Sequence, residues 1–205
     1  MFPRVLEGAI KKAMKTFPAV LVTGPRQSGK TTLLFERFSK SHHFVSLENP
    51  DVRARVLEDP VGFLKANPPP LILDEIQYTP ELLHYMKSAI DSNRKPGQWL
   101  LSGSQSFALM QGVSQSLSGR IAVLTLLPFS IAESQKRGNK RTEIDEVLQN
   151  AFYGKREKKK NKPLSLDDWL LRGAYPEIRV NREVDRQLWI ASYVQTYLEL
   201  SLIHI

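Results

Sequence analysis

The sequence predicts an α/β fold: a parallel sheet of five strands with helices on both faces, followed by a C-terminal helical segment. Three observations lead there. Gly24-Pro25-Arg26-Gln27-Ser28-Gly29-Lys30-Thr31 has the G-x-x-x-x-G-K-[ST] form of a phosphate-binding P-loop, set between an apolar run at 19–23 and an amphipathic run at 32–38. A second apolar run, Leu71-Ile72-Leu73, ends in Asp74-Glu75, as a parallel strand buried on both faces would with acids at its carboxyl end. Strand-like and helical stretches alternate across residues 20–127.

Composition bounds the class. The chain has 205 residues, 41% of them hydrophobic, enough for one full α/β domain and a little more. It has no cysteine, which excludes disulfides and thiolate metal sites. Met1-Phe2-Pro3-Arg4 does not begin a signal peptide, and no run approaches the ~20 apolar residues of a membrane span. A soluble, cytoplasmic protein without a membrane partner is expected. The net charge of +8 and pI near 9.7 favour an anionic partner without separating DNA, RNA, anionic lipid and free nucleotide.

Taken in order, residues 5–17 carry Val5, Leu6, Ala9, Ile10, Ala13 and Met14 at helical spacing, with Lys11, Lys12 and Lys15 outward, and Pro18 ends this basic helix. The first strand follows. In the P-loop the glycines let consecutive N–H groups turn toward phosphate oxygens, and the helix beginning near Lys30 adds its N-terminal partial charge. Gly24, Pro25, Arg26, Gln27, Ser28, Gly29, Lys30, Thr31 and Thr32 are the expected nucleotide-binding residues. Lys30 would reach the outer phosphates and the Thr31 hydroxyl would ligate Mg²⁺.

Phe44-Val45-Ser46-Leu47-Glu48 predicts a short strand, Asn49-Pro50-Asp51 and Asp59-Pro60 start two short helices, and Asn67-Pro68-Pro69-Pro70 is a stiff connector. On the next strand Asp74 would hold Mg²⁺ opposite Thr31, through water, and Glu75 would act as general base on the attacking water. Two acids at a strand end are a weak pattern alone; downstream of a P-loop they fit the phosphoryl-transfer template. Residues 80–91 predict a helix on Leu82, Leu83, Met86, Ala89 and Ile90, and Lys95-Pro96-Gly97 a turn. Gln98-Trp99-Leu100-Leu101 is the next strand. It runs into Ser102-Gly103-Ser104-Gln105, where Ser102 or Ser104 either orients water near the γ-phosphate or caps a following helix. Arg120, before a strand at 121–127, is either a surface arginine or a guanidinium supplied to phosphate in cis or in trans. Pro128-Phe129-Ser130 starts a short helix.

The composition then shifts. Lys155 to Lys162 hold six basic residues and one acid, a solvated loop or a backbone-phosphate contact, with no aromatic residue for base stacking. Leu164 to Gly173 predict a helix capped by Ser165, Tyr175-Pro176-Glu177 a turn, and residues 183–203 a long helix that packs through Val184, Leu188, Ala191, Val194, Tyr197 and Leu198. His204 has no metal-ligand partner at useful spacing. The expected organisation is a P-loop core at 1–135, a basic insertion at 136–163, and a helical, lid-like segment at 164–205.

Taken together, these stretches resemble the prokaryotic AAA-type P-loop ATPases in which an AAA domain precedes a C-terminal domain of unknown function. The resemblance rests on the P-loop with Thr32-Leu33, Leu73-Asp74-Glu75-Ile76-Gln77, Leu101-Ser102-Gly103-Ser104, Ser116-Leu117-Ser118-Gly119-Arg120 and Leu127-Pro128-Phe129-Ser130. It extends to Arg172-Gly173-Ala174-Tyr175-Pro176-Glu177 and Tyr193-Val194-Gln195-Thr196-Tyr197-Leu198-Glu199. It implies an AAA-like sheet and ATP binding and hydrolysis. The family segment ending in Tyr-Leu-Glu normally continues with Arg-Asp and a further domain; here Leu200-Ser201-Leu202 follows, so an end short of that domain is expected. The basic segment is also longer than the family needs.

The function expected is Mg²⁺-dependent ATP hydrolysis. The alternative is a nucleotide-gated module that holds ATP or ADP as a latch and binds DNA through its basic surface. A small-molecule kinase fits less well, because an adjacent Asp-Glu pair favours water as acceptor. The guanine-reading Asn/Thr-Lys-x-Asp pattern is absent, which favours ATP. A homo-oligomer is allowed by the Arg120 reading.

Overall fold

Side-chain alternation along one strand sets the architecture of the computed structural model, which describes residues 2–104, 107–136 and 166–199. The strand β1 (Ala19–Gly24) is buried along its whole length. Its odd and even residues face two different cores, because successive side chains of a strand point to opposite sides. Ala19 and Leu21 enter a cluster with Leu73, Met86, Leu101 and Val113; Val20 and Val22 enter a second with Ile10, Leu33, Leu34 and Phe38.

Four further strands complete the sheet: β2 (His43–Ser46), β3 (Leu71–Asp74), β4 (Trp99–Ser104) and β5 (Ile121–Thr125). Their order is β2-β3-β4-β1-β5, and every pairing is parallel. The expected five-stranded parallel sheet is therefore present, with β4 inserted between the two strands that carry the motifs. On one face lie α1 (Leu6–Ala13) and α2 (Lys30–Phe38). On the other lie α3 (Pro50–Glu58), α4 (Pro60–Ala66), α5 (Leu82–Ser92) and α6 (Phe107–Leu117). Both short helices start as the sequence suggests: Asn49 and Asp59 accept N-cap hydrogen bonds from Asp51 and Gly62, with proline at the first helical position. The helix α6 was expected only as the helix that Ser102 or Ser104 would cap, without bounds or a packing face. Leu109, Val113 and Leu117 give it a buried stripe, which its glycine and four interspersed serine and glutamine positions obscured.

The chain divides into two compact units, Val5–Pro128 and Met1–Arg4 with Phe129–Ile205. The division comes earlier than the expected boundary near 135, and the first residues join the second unit. The cause is a buried ion pair: Arg4 Nε donates to Glu133 Oε1 at 3.2 Å, and the guanidinium lies over the Phe129 ring at 4.8 Å. Glu133 also closes a capping box with Ser130 on α7 (Ile131–Ser134).

The rest of that unit's described residues form α8 (Leu166–Arg172), α9 (Pro176–Val180), α10 (Arg186–Tyr193) and a π-helical stretch, Val194–Glu199. Two expectations need correction. Pro176 begins a short helix rather than a turn, since its fixed φ suits the first helical position. The long C-terminal helix begins at Arg186, where Asp185 caps Gln187 and Leu188, and it does not pack through the expected aliphatic face: Leu188 is 67% exposed. Tyr175, Trp189, Tyr193 and Tyr197 pack instead, with ring centroids 5.0–5.3 Å apart. Ser165, Lys155–Lys162 and the end at 200–205 lie outside the described residues. Among the described residues, no helix is long and apolar enough to cross a membrane.

Candidate functional site

At the carboxyl end of β1 the chain must turn in a space that admits no side chain. Gly24 has φ 143°, and a Cβ there would stand 2.2 Å from the Leu126 carbonyl oxygen. The loop continues through Gln27 at φ 60° and Gly29 at φ 92°, both left-handed, and α2 begins at Lys30 with no side-chain cap. Its first turn therefore presents N–H groups and a positive dipole end toward the loop. Lys30 is buried, and its ammonium donates to the carbonyls of Gly24 at 3.1 Å and Pro25 at 3.0 Å. Burial lowers its pKa, an effect that the Glu75 and Asp74 carboxylates oppose.

The strand β3 delivers the acids two strands away. Asp74 is 2% exposed. Its carboxylate accepts from the Thr31 hydroxyl at 2.9 and 3.1 Å and from the Ser102 hydroxyl. Burial pushes the Asp74 carboxyl pKa up, while those two hydroxyl donors hold it down. Glu75 follows in a left-handed conformation, φ 59° and ψ 48°. A non-glycine residue held there costs about 1–3 kcal/mol and is found mainly where function over-determines the backbone. The kink sends Ile76 into the core, fully buried, and leaves Glu75 half-buried. The Glu75 N–H donates to Ser102 Oγ at 3.2 Å.

The end of β4 lies between these groups. Ser102 pairs in register with Val22 and Ser104 with Gly24. Ser102 is a buried strand residue that bridges Asp74 and the Glu75 backbone, so it caps no helix. The Ser104 hydroxyl is buried and has no hydrogen-bond partner among the described residues. Lys30, Thr31, Asp74, Glu75, Ser102 and Ser104 are thus gathered at one edge of the sheet, where open α/β sheets bind ligands. Ser28 is buried in the loop and Pro25 half-buried, whereas Arg26 and Gln27 are exposed on the loop and Thr32 on the first turn of α2.

Arg120 is elsewhere. It precedes β5, whose Ile121 pairs with Ala19 at the start of β1, and its carbonyl accepts from Ala19 N–H at 3.1 Å. The P-loop begins at the other end of β1, about 16 Å away at about 3.3 Å per residue. The Arg120 side chain makes a two-point pair with Asp91 of α5, at 2.6 and 2.9 Å. The expected contribution in cis is therefore corrected: the sheet's length separates this guanidinium from its own chain's loop.

Two residues of the site carried no sequence-based role. Gln77 donates through Nε2 to Glu75 Oε2 and accepts through Oε1 from Ser104 N–H at 3.1 Å. Gly103 gives it room, since a Cβ there would lie 2.9 Å from Gln77 Oε1. The sequence signal for them was their place in two of the motif matches, Leu73-Asp74-Glu75-Ile76-Gln77 and Leu101-Ser102-Gly103-Ser104, which gave neither a role.

Comparison with known proteins agrees with this geometry. A family model described as an AAA domain matches residues 16–135. Two uncharacterized mycobacterial proteins, Rv2008c of Mycobacterium tuberculosis and Mb2031c of Mycobacterium bovis, are each 28% identical over 195 residues, 94% of this chain. The chain spans 38% of the length of each relative. Among solved structures, the Walker-type ATPase PABY2304 of Pyrococcus abyssi superposes with TM-score 0.54 at 16% identity, covering 100% of this chain and 74% of that one. AMPPCP-bound DnaA of Aquifex aeolicus gives 0.51 at 14%, covering 95% and 61%. At such identities the likeness is one of fold. The model match covers more than half of the chain, and its span contains the P-loop, the acidic strand and the serine-tipped strand between them: the chain belongs to the AAA domain family and has the fold of the P-loop ATPases.

Proposed function

We propose that this domain binds ATP at the P-loop and hydrolyses its terminal phosphoanhydride with Mg²⁺. The observation that carries the reading is the meeting of Thr31 and Asp74, 43 residues apart in sequence and 2.9 Å apart in space. A bare phosphate cradle needs no carboxylate beside its threonine. A hydroxyl and a carboxylate side by side fit Mg²⁺, which takes one or two protein oxygens and completes its shell with phosphate and water. A buried carboxylate served only by hydroxyl donors also suits a cation. Bound there, Mg²⁺ would supply neutralisation of the charge on the β- and γ-phosphates.

The chain's own residues do the rest. Lys30 turns from the Gly24 and Pro25 carbonyls to phosphate oxygens, exchanging neutral acceptors for charged ones. Glu75 accepts a proton from the water that attacks the γ-phosphorus. The bond to the β–γ bridging oxygen breaks, releasing ADP and phosphate. Ser102 holds Asp74 and the Glu75 backbone in place. The open hydroxyl of Ser104 supports a contact with the water or the γ-phosphate. A phosphate role for Arg120 belongs only to the site of a second copy.

The test is ATP binding and phosphate release measured separately. Lys30→Ala is expected to lose binding, and Glu75→Gln to bind without turnover. Parent-rate hydrolysis by Glu75→Gln would remove Glu75 as the base. A parent chain that binds ATP, releases no phosphate and retains DNA in a salt-sensitive way would favour the latch instead.

A further inference from the structure

Gln77 is used at both ends of its carboxamide, and the turn it belongs to does not need it. Backbone bonds close that turn: Tyr78 N–H to the Glu75 carbonyl at 3.1 Å and Thr79 N–H to the Ile76 carbonyl at 3.0 Å. Ile76, fully buried, anchors it. Ser102 holds Asp74 and the Glu75 N–H but not the Glu75 carboxylate. That carboxylate is held by Gln77, whose other end is tied to β4 through the Ser104 N–H.

We propose that Gln77 is the positioning residue of this site: its amide fixes one oxygen of Glu75 and couples that side chain to the end of β4. The proposal rests on the reading of Glu75 as general base. A glutamate has three side-chain torsions, and only a few of their combinations bring a carboxylate oxygen to a water in line with the γ-phosphate. Gln77 occupies Oε2 alone, which leaves Oε1 to receive the proton. Ser104 is the residue with the open hydroxyl, so a shift of the β4 end on binding a γ-phosphate reaches Glu75 through one side chain. Gly103 supports this from the other side. A Cβ there would stand 2.9 Å from Gln77 Oε1 and 2.7 Å from Leu109 Cδ2, so any larger residue displaces the carboxamide or the α6 side chain beside it.

The experiment compares steady-state ATP hydrolysis, nucleotide binding and melting temperature for the parent, Gln77→Leu, Gln77→Glu and Gly103→Ala. Gln77→Leu keeps bulk but loses both hydrogen bonds, and is expected to lower kcat about ten- to hundredfold with KM for ATP within about twofold. Gln77→Glu keeps the shape and an acceptor oxygen but sets a like charge against Glu75. A merely structural role predicts recovery over leucine, whereas positioning predicts none. Gly103→Ala leaves Gln77 in the sequence and is expected to lower kcat in the same direction, which keeps the test alive should the leucine variant fold poorly. A parent that hydrolyses ATP beside a Gln77→Leu chain with kcat within about twofold overturns the proposal alone. A parent that binds ATP without hydrolysing it overturns the ATPase reading and this inference together.

Discussion

The two edges of the one sheet hold polar side chains under opposite conditions. At the carboxyl edge Lys30, Asp74 and Ser102 are buried, and Glu75 and Gln27 sit in left-handed backbone. Their contacts cross between β1, β3 and β4. At the amino edge Arg120 and Asp91 pair in the open, and His42 rests against the Gly97 carbonyl at 2.9 Å. These tie loops to α5 and to one another, each side chain already holding a partner. One edge stores buried charge and strained backbone, and the other closes the fold. Groups of the first kind cost stability and are kept where a ligand uses them.

The strongest way to break this contrast is through turnover. Glu75→Gln removes a carboxylate of the strained edge and is expected to lower phosphate release at least about a hundredfold. Arg120→Ala, at the other edge, is expected to leave ATP binding to its own chain unaltered. If Glu75→Gln released phosphate at the parent rate, or Arg120→Ala lost ATP binding to its own chain, the division between the edges would fall.

A pair of glycines sharpens it next. Gly24→Ala meets backbone at 2.2 Å in a φ of 143°, so the loop or β5 must move, while at Gly119, φ 72°, nothing lies within 4 Å of an added Cβ. Thermal or urea denaturation should show Gly24→Ala losing about 3 kcal/mol or more, and Gly119→Ala only the left-handed cost of about 1 kcal/mol.

Charge provides two smaller effects of opposite sign. The folded pKa of Asp74 is raised by burial, so its ionised form opposes folding, and that cost grows as pH rises from the ordinary 3.8 through the folded value. Asp74→Asn is therefore expected to melt higher than the parent at pH 7 while losing turnover, with the gain fading as pH is lowered past the folded pKa. Asp91 is the reverse: its hydrogen bond from Arg120 lowers its pKa, giving stability that is present above 3.8 and lost as pH falls through the folded value. Asp91→Asn should melt slightly lower at neutral pH, and the gap should close under acid. Because both side chains are partly exposed, solvent screens the pair, and this is the smallest of the effects.

What could be read in advance follows the same division. The P-loop and the acids of β3 announced themselves, because a glycine spacing and an apolar run ending in Asp74-Glu75 are local patterns with one shared use. The two-faced sheet was legible in the apolar runs at 19–23 and 71–73. The roles of Gln77 and Gly103 were not, since they lie in a 3.1 Å contact between the turn after β3 and the end of β4. For the same reason the sequence left Arg120 open between a surface role and a contact in cis or in trans: its position in a motif says nothing about which edge of the sheet its strand starts from. At the C-terminal end, aliphatic spacing pointed to one helical face while Trp189 and Tyr193, stacked at 5.1 Å, took the packing.

The two-sided burial of β1 has a consequence for measurement. A strand clasped by both layers releases its amides to solvent only when the whole Val5–Pro128 unit opens, so its amides belong among the slowest to exchange with deuterium. Whatever binds at the end of that strand holds the complete unit shut. Nucleotide at about a hundred times its Kd would then add about 2.7 kcal/mol to global unfolding, and the occupancy of a small loop becomes readable as the exchange rate of amides in β1 beneath it.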